Sequence, residues 1–325
     1  LAVSLLATAQ ILSTGARLGA IQDVVLQHRY EPDDGDDTDL AALRAAIANV
    51  FEGLDEYADL VDPITSTELT TGSLSSDFAI IVAIRPDVLA MQEIGDRDAL
   101  EDLRARLLER GVSFPHVEHV AGWDTNIFVG VLSRFPFAAR RPHVRESYLL
   151  NGRRFFTSRG IAELEIEVSP RYRFTLITTH LKSRRQSVLA DEAEMREAES
   201  RVLRRTVDGI LENYPQANVI VCGDFNDTQD SPTIRTLIGR GRSTLLDPRP
   251  GERGEGCPQS EGPRAVTWTH HYGKEDTYSR IDYILMSRGI AKEWRPEGSY
   301  VLSTPKWGLA SDHRPVICEF LAKDR

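Results

Sequence analysis

The run Val219-Ile220-Val221-Cys222-Gly223-Asp224-Phe225-Asn226-Asp227 constrains this chain more than any other segment. Its four leading apolar residues read as a buried strand. A glycine, two carboxylates and an amide follow directly. That order sets polar groups at the carboxyl end of a core strand, where α/β folds place their chemistry. Taken alone, the same run also fits an acidic turn that closes a strand.

Four further segments repeat the arrangement. Ser279 to Leu285 embeds Asp282 in an apolar strand, where an unpaired charge is costly. Ser311-Asp312-His313-Arg314-Pro315 sets an aspartate beside a histidine just before a second apolar strand, Val316 to Phe320. Pro86 to Glu93 ends a strand on glutamate, and Phe174 to Lys182 carries His180 near the end of another. One buried acid usually has a structural explanation. Five strands with such residues at or near their ends point to a shared site.

In the blocks Gln92-Glu93, Thr179-His180-Leu181, Gly223-Asp224-Phe225-Asn226, Arg280-Ile281-Asp282-Tyr283 and Ser311-Asp312-His313, the chain resembles the endonuclease/exonuclease/phosphatase superfamily, which includes deoxyribonuclease I. The resemblance extends from about Pro86 to Phe320. It implies a four-layer α/β/β/α sandwich of two mixed sheets with helices outside. It also implies divalent-metal-dependent hydrolysis of phosphodiesters, with nuclease action as the leading expectation. By this resemblance Glu93 is the principal metal ligand, with Asn49 and Asp312 nearby. His313 does acid or base work with its imidazole held by Asp282, while Asp224 orients or deprotonates the attacking water and Asn226 fixes that geometry. His180 contacts phosphate or the leaving group, and Asn126, Arg159 and Lys182 are further candidates for phosphate contact.

Asn49 rests on the family's first-strand asparagine. Against it, Leu40, Leu43, Ile47, Val50 and Leu54 recur at helical spacing in an alanine-rich segment. The hard oxygen ligands, with no cysteine or histidine cluster, suit Mg²⁺ or Mn²⁺ better than zinc. Cys222 and Cys318 lie in apolar patterns and read as small buried hydrophobes.

The expected organisation is an N-terminal segment over 1–39 and one catalytic domain over 40–325. The apolar stretch within Leu1 to Ala20 is too short to span a membrane, and reads as a signal-like segment or as a core helix or strand. The run Asp33-Asp34-Gly35-Asp36-Asp37 lacks the spacing of an EF-hand and reads as a solvated loop. Helical periodicity covers Leu100 to Leu108 and Asp191 to Tyr214, and Ser231-Pro232 has the form of a helix start. Arg249 to Arg264 reads as a surface loop of the kind that sets substrate choice.

The net charge of −10 argues against a broad basic face for duplex DNA. Lys182, Arg184 and Arg185 nevertheless follow His180 and could attract phosphate, so a nucleic-acid substrate bound by a monomer is the expectation. The alternatives are a phosphatase of inositol phosphates or other small phosphomonoesters, a sphingomyelinase-like lipid phosphodiesterase, and a non-catalytic module. The last would be expected to have lost an acid or a histidine, and none is missing here.

Overall fold

Along the strand Val88–Ile94, alternate residues point to opposite sides, and each side finds its own apolar partner. The computed structural model of the chain describes residues 2–10, 78, 80–124, 127–254, 267–303 and 311–323. They belong to one unit, Leu1–Ser13 with Leu74–Arg325; the second unit, Thr14–Ser73, lies outside the described residues.

The strands of the first half are β1 (Ala2–Gln10), β2 (Val88–Ile94), β3 (His116–Val120), β4 (Phe128–Ser133), β5 (Phe137–His143), β6 (Ser147–Leu150), β7 (Arg153–Phe156) and β8 (Ile161–Ser169). Those of the second half are β9 (Tyr172–His180), β10 (Val219–Asp224), β11 (Glu252–Gly254), β12 (His270–Tyr272), β13 (Thr277–Ser279), β14 (Asp282–Met286), β15 (Trp294–Ser303) and β16 (Val316–Leu321). One sheet has seven strands in the order β11-β15-β16-β1-β2-β4-β3, and the other has five in the order β14-β10-β9-β8-β5. β6 with β7, and β12 with β13, form two-stranded hairpins.

Val88, Ala90, Val129 and Val131 of the first sheet share one apolar cluster with Leu164, Leu176, Ile220, Cys222 and Ile284 of the second. Their strand neighbours Leu89, Met91 and Leu132 turn the other way, onto Leu100, Leu103 and Leu107 of helix α1 (Arg97–Glu109). On the far side of the second sheet, Ile177, Val221 and Leu285 pack on Met195, Val202 and Leu203 of α2 (Glu192–Leu211) and Leu237 of α3 (Pro232–Ile238). The layers therefore run helix, sheet, sheet, helix, the sandwich that the sequence implied.

The helices start where side-chain caps satisfy their first free amides. Asp96 accepts from the amide of Ala99, Asp191 from that of Glu194 and Ser231 from that of Ile234. α2 stops at Leu211, short of Pro215. The apolar N-terminal run takes the core-strand form: β1 lies between β16, antiparallel, and β2, parallel. It is the first strand of its sheet and ends at Gln10, whose Cα pairs with Gln92. Asn49, expected on that strand, lies outside the described residues. Part of the segment expected to be a loop is also strand, since Glu252–Gly254 pairs parallel with β15. Among the described residues, no helix is long and apolar enough to cross a membrane.

Candidate active site

Three adjacent strands deliver three site residues in one row. Asp224 at the end of β10 is in register with His180 of β9 on one side and Asp282 of β14 on the other. The row is possible because residue 223 is glycine. Gly223 has φ +145°, and a Cβ there would fall 1.9 Å from the carbonyl oxygen of Thr179. The first sheet contributes Glu93, which sits at a break in the β2–β4 register with a left-handed φ of +56°. The two sheets are tied just below the site, where the buried Gln92 Nε2 donates to Thr178 Oγ1 at 3.1 Å.

Asn226 fixes the central geometry. It also adopts a left-handed φ, +54°, and its backbone amide donates to Asp224 Oδ1 at 2.8 Å. Its Nδ2 lies 2.9 Å from His180 Nε2, 3.1 Å from the Leu181 carbonyl oxygen and 3.3 Å from Asp224 Oδ2. As a donor, that amide makes His180 Nε2 an acceptor and leaves the ring proton on Nδ1. Nδ1 is buried without a hydrogen-bond partner among the described residues, 3.9 Å from Glu93 Oε1. Burial, then the charges of Arg159, His313 and Lys182, depress the pKa of His180 well below the ordinary range, so this ring is neutral.

His313 is the charged counterpart. Its Nδ1 lies 2.9 and 3.1 Å from the two oxygens of Asp282, and its Nε2 is 4.0 Å from Asp224 Oδ2. Burial opposes protonation of the ring, but Asp282, Asp224 and Asp312 outweigh it and raise its pKa to about 10. Asp224 is pushed up by burial and by Asp282, against the pull of His313. Asp282, fully buried at the start of β14, thereby has the partner that a carboxylate in an apolar strand requires.

Glu93 is raised by burial, with Asp312 and Asp124 adding to the effect and Arg159 and His313 opposing it. Carboxylates pressed together in this way favour a cation among them. The donor set fits a divalent metal. Among the described residues, two groups of ligand atoms lie within 4.8 Å of one another, neither including Glu93: Asp224, Asp282 and His313, and His270, Asp312 and His313.

His270 is a site residue that the sequence reading missed. Its ring lies 4.4 Å from that of His313, and its Nε2 is 3.7 Å from Asp312 Oδ2. Backbone pairing places it there, because His270 bridges His313 while the amide of Arg314 donates to the Thr269 carbonyl. The available signal was the Thr269-His270-His271 step a short hairpin upstream of Asp282.

The phosphate candidates divide. Arg159 is buried, its Nη2 is 3.9 Å from Asp124 Oδ2, and its Nε has no hydrogen-bond partner among the described residues. Lys182 and Arg184 are committed to backbone carbonyls, Lys182 within its own loop and Arg184 on the loop after β10. Lys182 Nζ donates to the carbonyls of Ser183 and Arg185, and Arg184 Nε to that of Asn226. Asn126 lies outside the described residues. Behind Arg159 and Lys182 stands Glu199 of α2, also unnoticed in the sequence. Its carboxylate accepts from the amide and hydroxyl of Ser158 and from the amide of Lys182, at 2.7 to 2.8 Å. It joins the loops that follow β7 and β9.

Solved structures share this architecture at low identity. The catalytic domain of human Nocturnin, with a bound sulfate anion, matches with a TM-score of 0.54 and 18% identity, over 81% of this chain and 89% of that one. A truncated TDP2 from Caenorhabditis elegans matches at 0.52 and 17% identity, over 79% and 92%. An endonuclease/exonuclease/phosphatase from Bacteroides vulgatus gives 0.54 and 14%, over 78% and 91%. No curated protein matches the sequence significantly. The sequence model of the Endonuclease/Exonuclease/phosphatase family matches residues 29–313, a span that holds Glu93, His180, Asp224, Asn226, Asp282 and His313, and the chain belongs to that family.

Proposed function

We propose that this chain hydrolyses phosphodiester bonds with the aid of Mg²⁺ or Mn²⁺, and that its substrates are nucleic acids. One observation carries the reading. The buried Arg159 Nε and His180 Nδ1 lack partners among the described residues, in the same electrostatic neighbourhood as the crowded acids Glu93 and Asp312. Unmade buried hydrogen bonds are costly, and an anion beside a cation would satisfy both halves of such a site.

Glu93, whose carboxyl feels the charge of Asp312, would hold the metal together with Asp312, and His270 is close enough to Asp312 to join them. When bound, the metal supplies charge neutralisation for the phosphate. The chain's own groups do the rest. Arg159 and His180 donate to phosphate oxygens through Nε and Nδ1. Asn226 holds Asp224 against the site, where the carboxylate orients the attacking water. Asp282 holds the His313 ring through Nδ1, so that Nε2 is the atom turned toward Asp224 and the proton moves between Nε2 and that carboxylate.

A second reading, hydrolysis of small phosphomonoesters, draws support from Lys182 and Arg184. A polymer would use free cations beyond the scissile bond, and these two already bind backbone carbonyls. A substrate panel at one Mg²⁺ concentration separates the readings: single-stranded DNA, RNA, sphingomyelin and inositol phosphates, each repeated in excess EDTA. Nucleic acids are expected to turn over fastest, with activity lost on chelation and restored by Mg²⁺ or Mn²⁺. A monoester preferred by more than about tenfold, ~1.4 kcal/mol in transition-state binding, would promote the second reading. Full activity in EDTA would remove the metal.

A further inference from the structure

Trp123 is 69% exposed, an uncommon state for the largest apolar side chain, and it is not an isolated ring. Its indole stacks on Phe156 with centroids 4.9 Å apart and planes 7° from parallel. Phe156 ends β7 and is itself 36% exposed. The pair forms a flat aromatic surface open to water.

Its position relative to the site is fixed by backbone. The amide of Asp124, the next residue after Trp123, donates to the carbonyl of Ser158 at 2.9 Å. On the other side of Trp123, a Cβ on Gly122 would come within 2.5 Å of Arg159 Cα, so the two segments are in direct contact. The surface therefore adjoins the arginine whose Nε is unpartnered among the described residues. Arg154 stands beside it: its Nη1 donates to Ser147 Oγ at 3.0 Å, and Ser147 is the cross-strand partner of Phe156.

We propose that Trp123 and Phe156 form a stacking platform for a nucleobase attached to the phosphate held at Arg159. The proposal deepens the nucleic-acid reading of the same site and rests on it. An aromatic face accepts any base, because every base has a π-surface, and stacking needs no sequence-specific contact. An adjacent cation adds to the attraction for a nucleotide and complements its phosphates. The same cation disfavours the other partner that aromatic faces commonly take, a quaternary ammonium headgroup, through like-charge repulsion. A ring and a phosphate recognised side by side match the layout of a nucleotide.

The test uses equilibrium binding of a nucleoside 5′-monophosphate and of ribose 5-phosphate to the full chain, measured by calorimetry. The two ligands carry the same phosphate and sugar and differ in the base. The base is expected to improve affinity about tenfold or more, ~1.4 kcal/mol. Trp123→Ala and Phe156→Ala should each collapse that ratio toward one, and Trp123→Phe should preserve most of it. Both parent side chains are exposed enough for the variants to fold. An unchanged ratio in Trp123→Ala overturns the proposal, as does equal or absent binding of both ligands by the parent chain. So does a Trp123→Ala variant that instead loses binding to phosphatidylcholine–sphingomyelin vesicles, which would make the platform a lipid contact. The substrate panel reads the broader function separately. If DNA and RNA are not cleaved but the base ratio behaves as stated, the platform stands and the nuclease reading falls. If they are cleaved and the ratio ignores Trp123, the platform alone falls.

Discussion

Gly223 shows how closely the site depends on single atoms. With φ at +145° and the Thr179 carbonyl 1.9 Å from any added Cβ, alanine there must either push β9 and β10 apart or break their register. Gly223→Ala is expected to cost roughly 3 kcal/mol or more in urea denaturation, and to lower activity in whatever fraction still folds. His313 and Asp282 are predicted to behave as one unit, because the carboxylate holds the imidazole through both of its oxygens. His313→Ala and Asp282→Asn should each reduce turnover by about a hundredfold or more, with the double variant little worse than the poorer single one. Losses that multiply would break the pairing. Most of these residues were legible in the sequence because a carboxylate or histidine at an apolar strand end is conspicuous. His270 was not, since it enters through the Thr269–Arg314 pairing between segments far apart in the chain. For the basic run at Lys182, the carbonyls that Lys182 and Arg184 bind in the fold were not legible for a related reason. Sequence displays a charge but not the carbonyl that a folded loop offers it.

At the level of elements, the helices and most core strands followed from apolar spacing and caps, with ends displaced by a few residues. β1 did not, because a short apolar run fits a core strand and a signal-like segment equally well until its neighbours are known. The edge strand β5 is pinned by one acid of β8. Glu163 binds Arg141 Nη1 at 2.9 Å and His143 Nε2 at 2.8 Å. The hydrogen bond to Glu163 leads the causes that raise the His143 pKa above 6.5, against burial. For Glu163, burial works upward, but His143 and Arg141 together hold its pKa below 4.5. The two shifts have opposite consequences. The histidine's contribution is complete below its ordinary 6.5 and is lost as pH rises through its raised folded value. The glutamate's is complete above its ordinary 4.5 and is lost as pH falls through its lowered folded value. The pair therefore helps most between those two ordinary values. His143→Gln should remove up to about 1 kcal/mol at pH 5.5 and less at pH 8.5, measured by urea denaturation at both. Equal losses at the two values would sink this assignment.

For the whole molecule, the proposed cation and the fold would be linked. Burial raises Glu93 and Asp224, and neighbouring carboxylates raise both further, so a divalent ion bound among them would stabilise the fold. Saturating Mg²⁺ or Mn²⁺ should raise the melting temperature by several degrees over the EDTA-treated chain, and Glu93→Gln should shrink that rise. An identical rise in the variant would place the ion elsewhere. A different consequence follows from β1, which is flanked by β2 and β16 with Ala2 opposite Leu321. β1 is paired along one edge by a strand made far later in the chain. Until that strand is made, the edge offers bare amides and carbonyls to any passing strand. Sheets closed by such distant partners also form slowly. The sandwich is sealed at a seam between two strands distant in sequence, and this protein's exposure to misassembly is a matter of timing before it is a matter of stability.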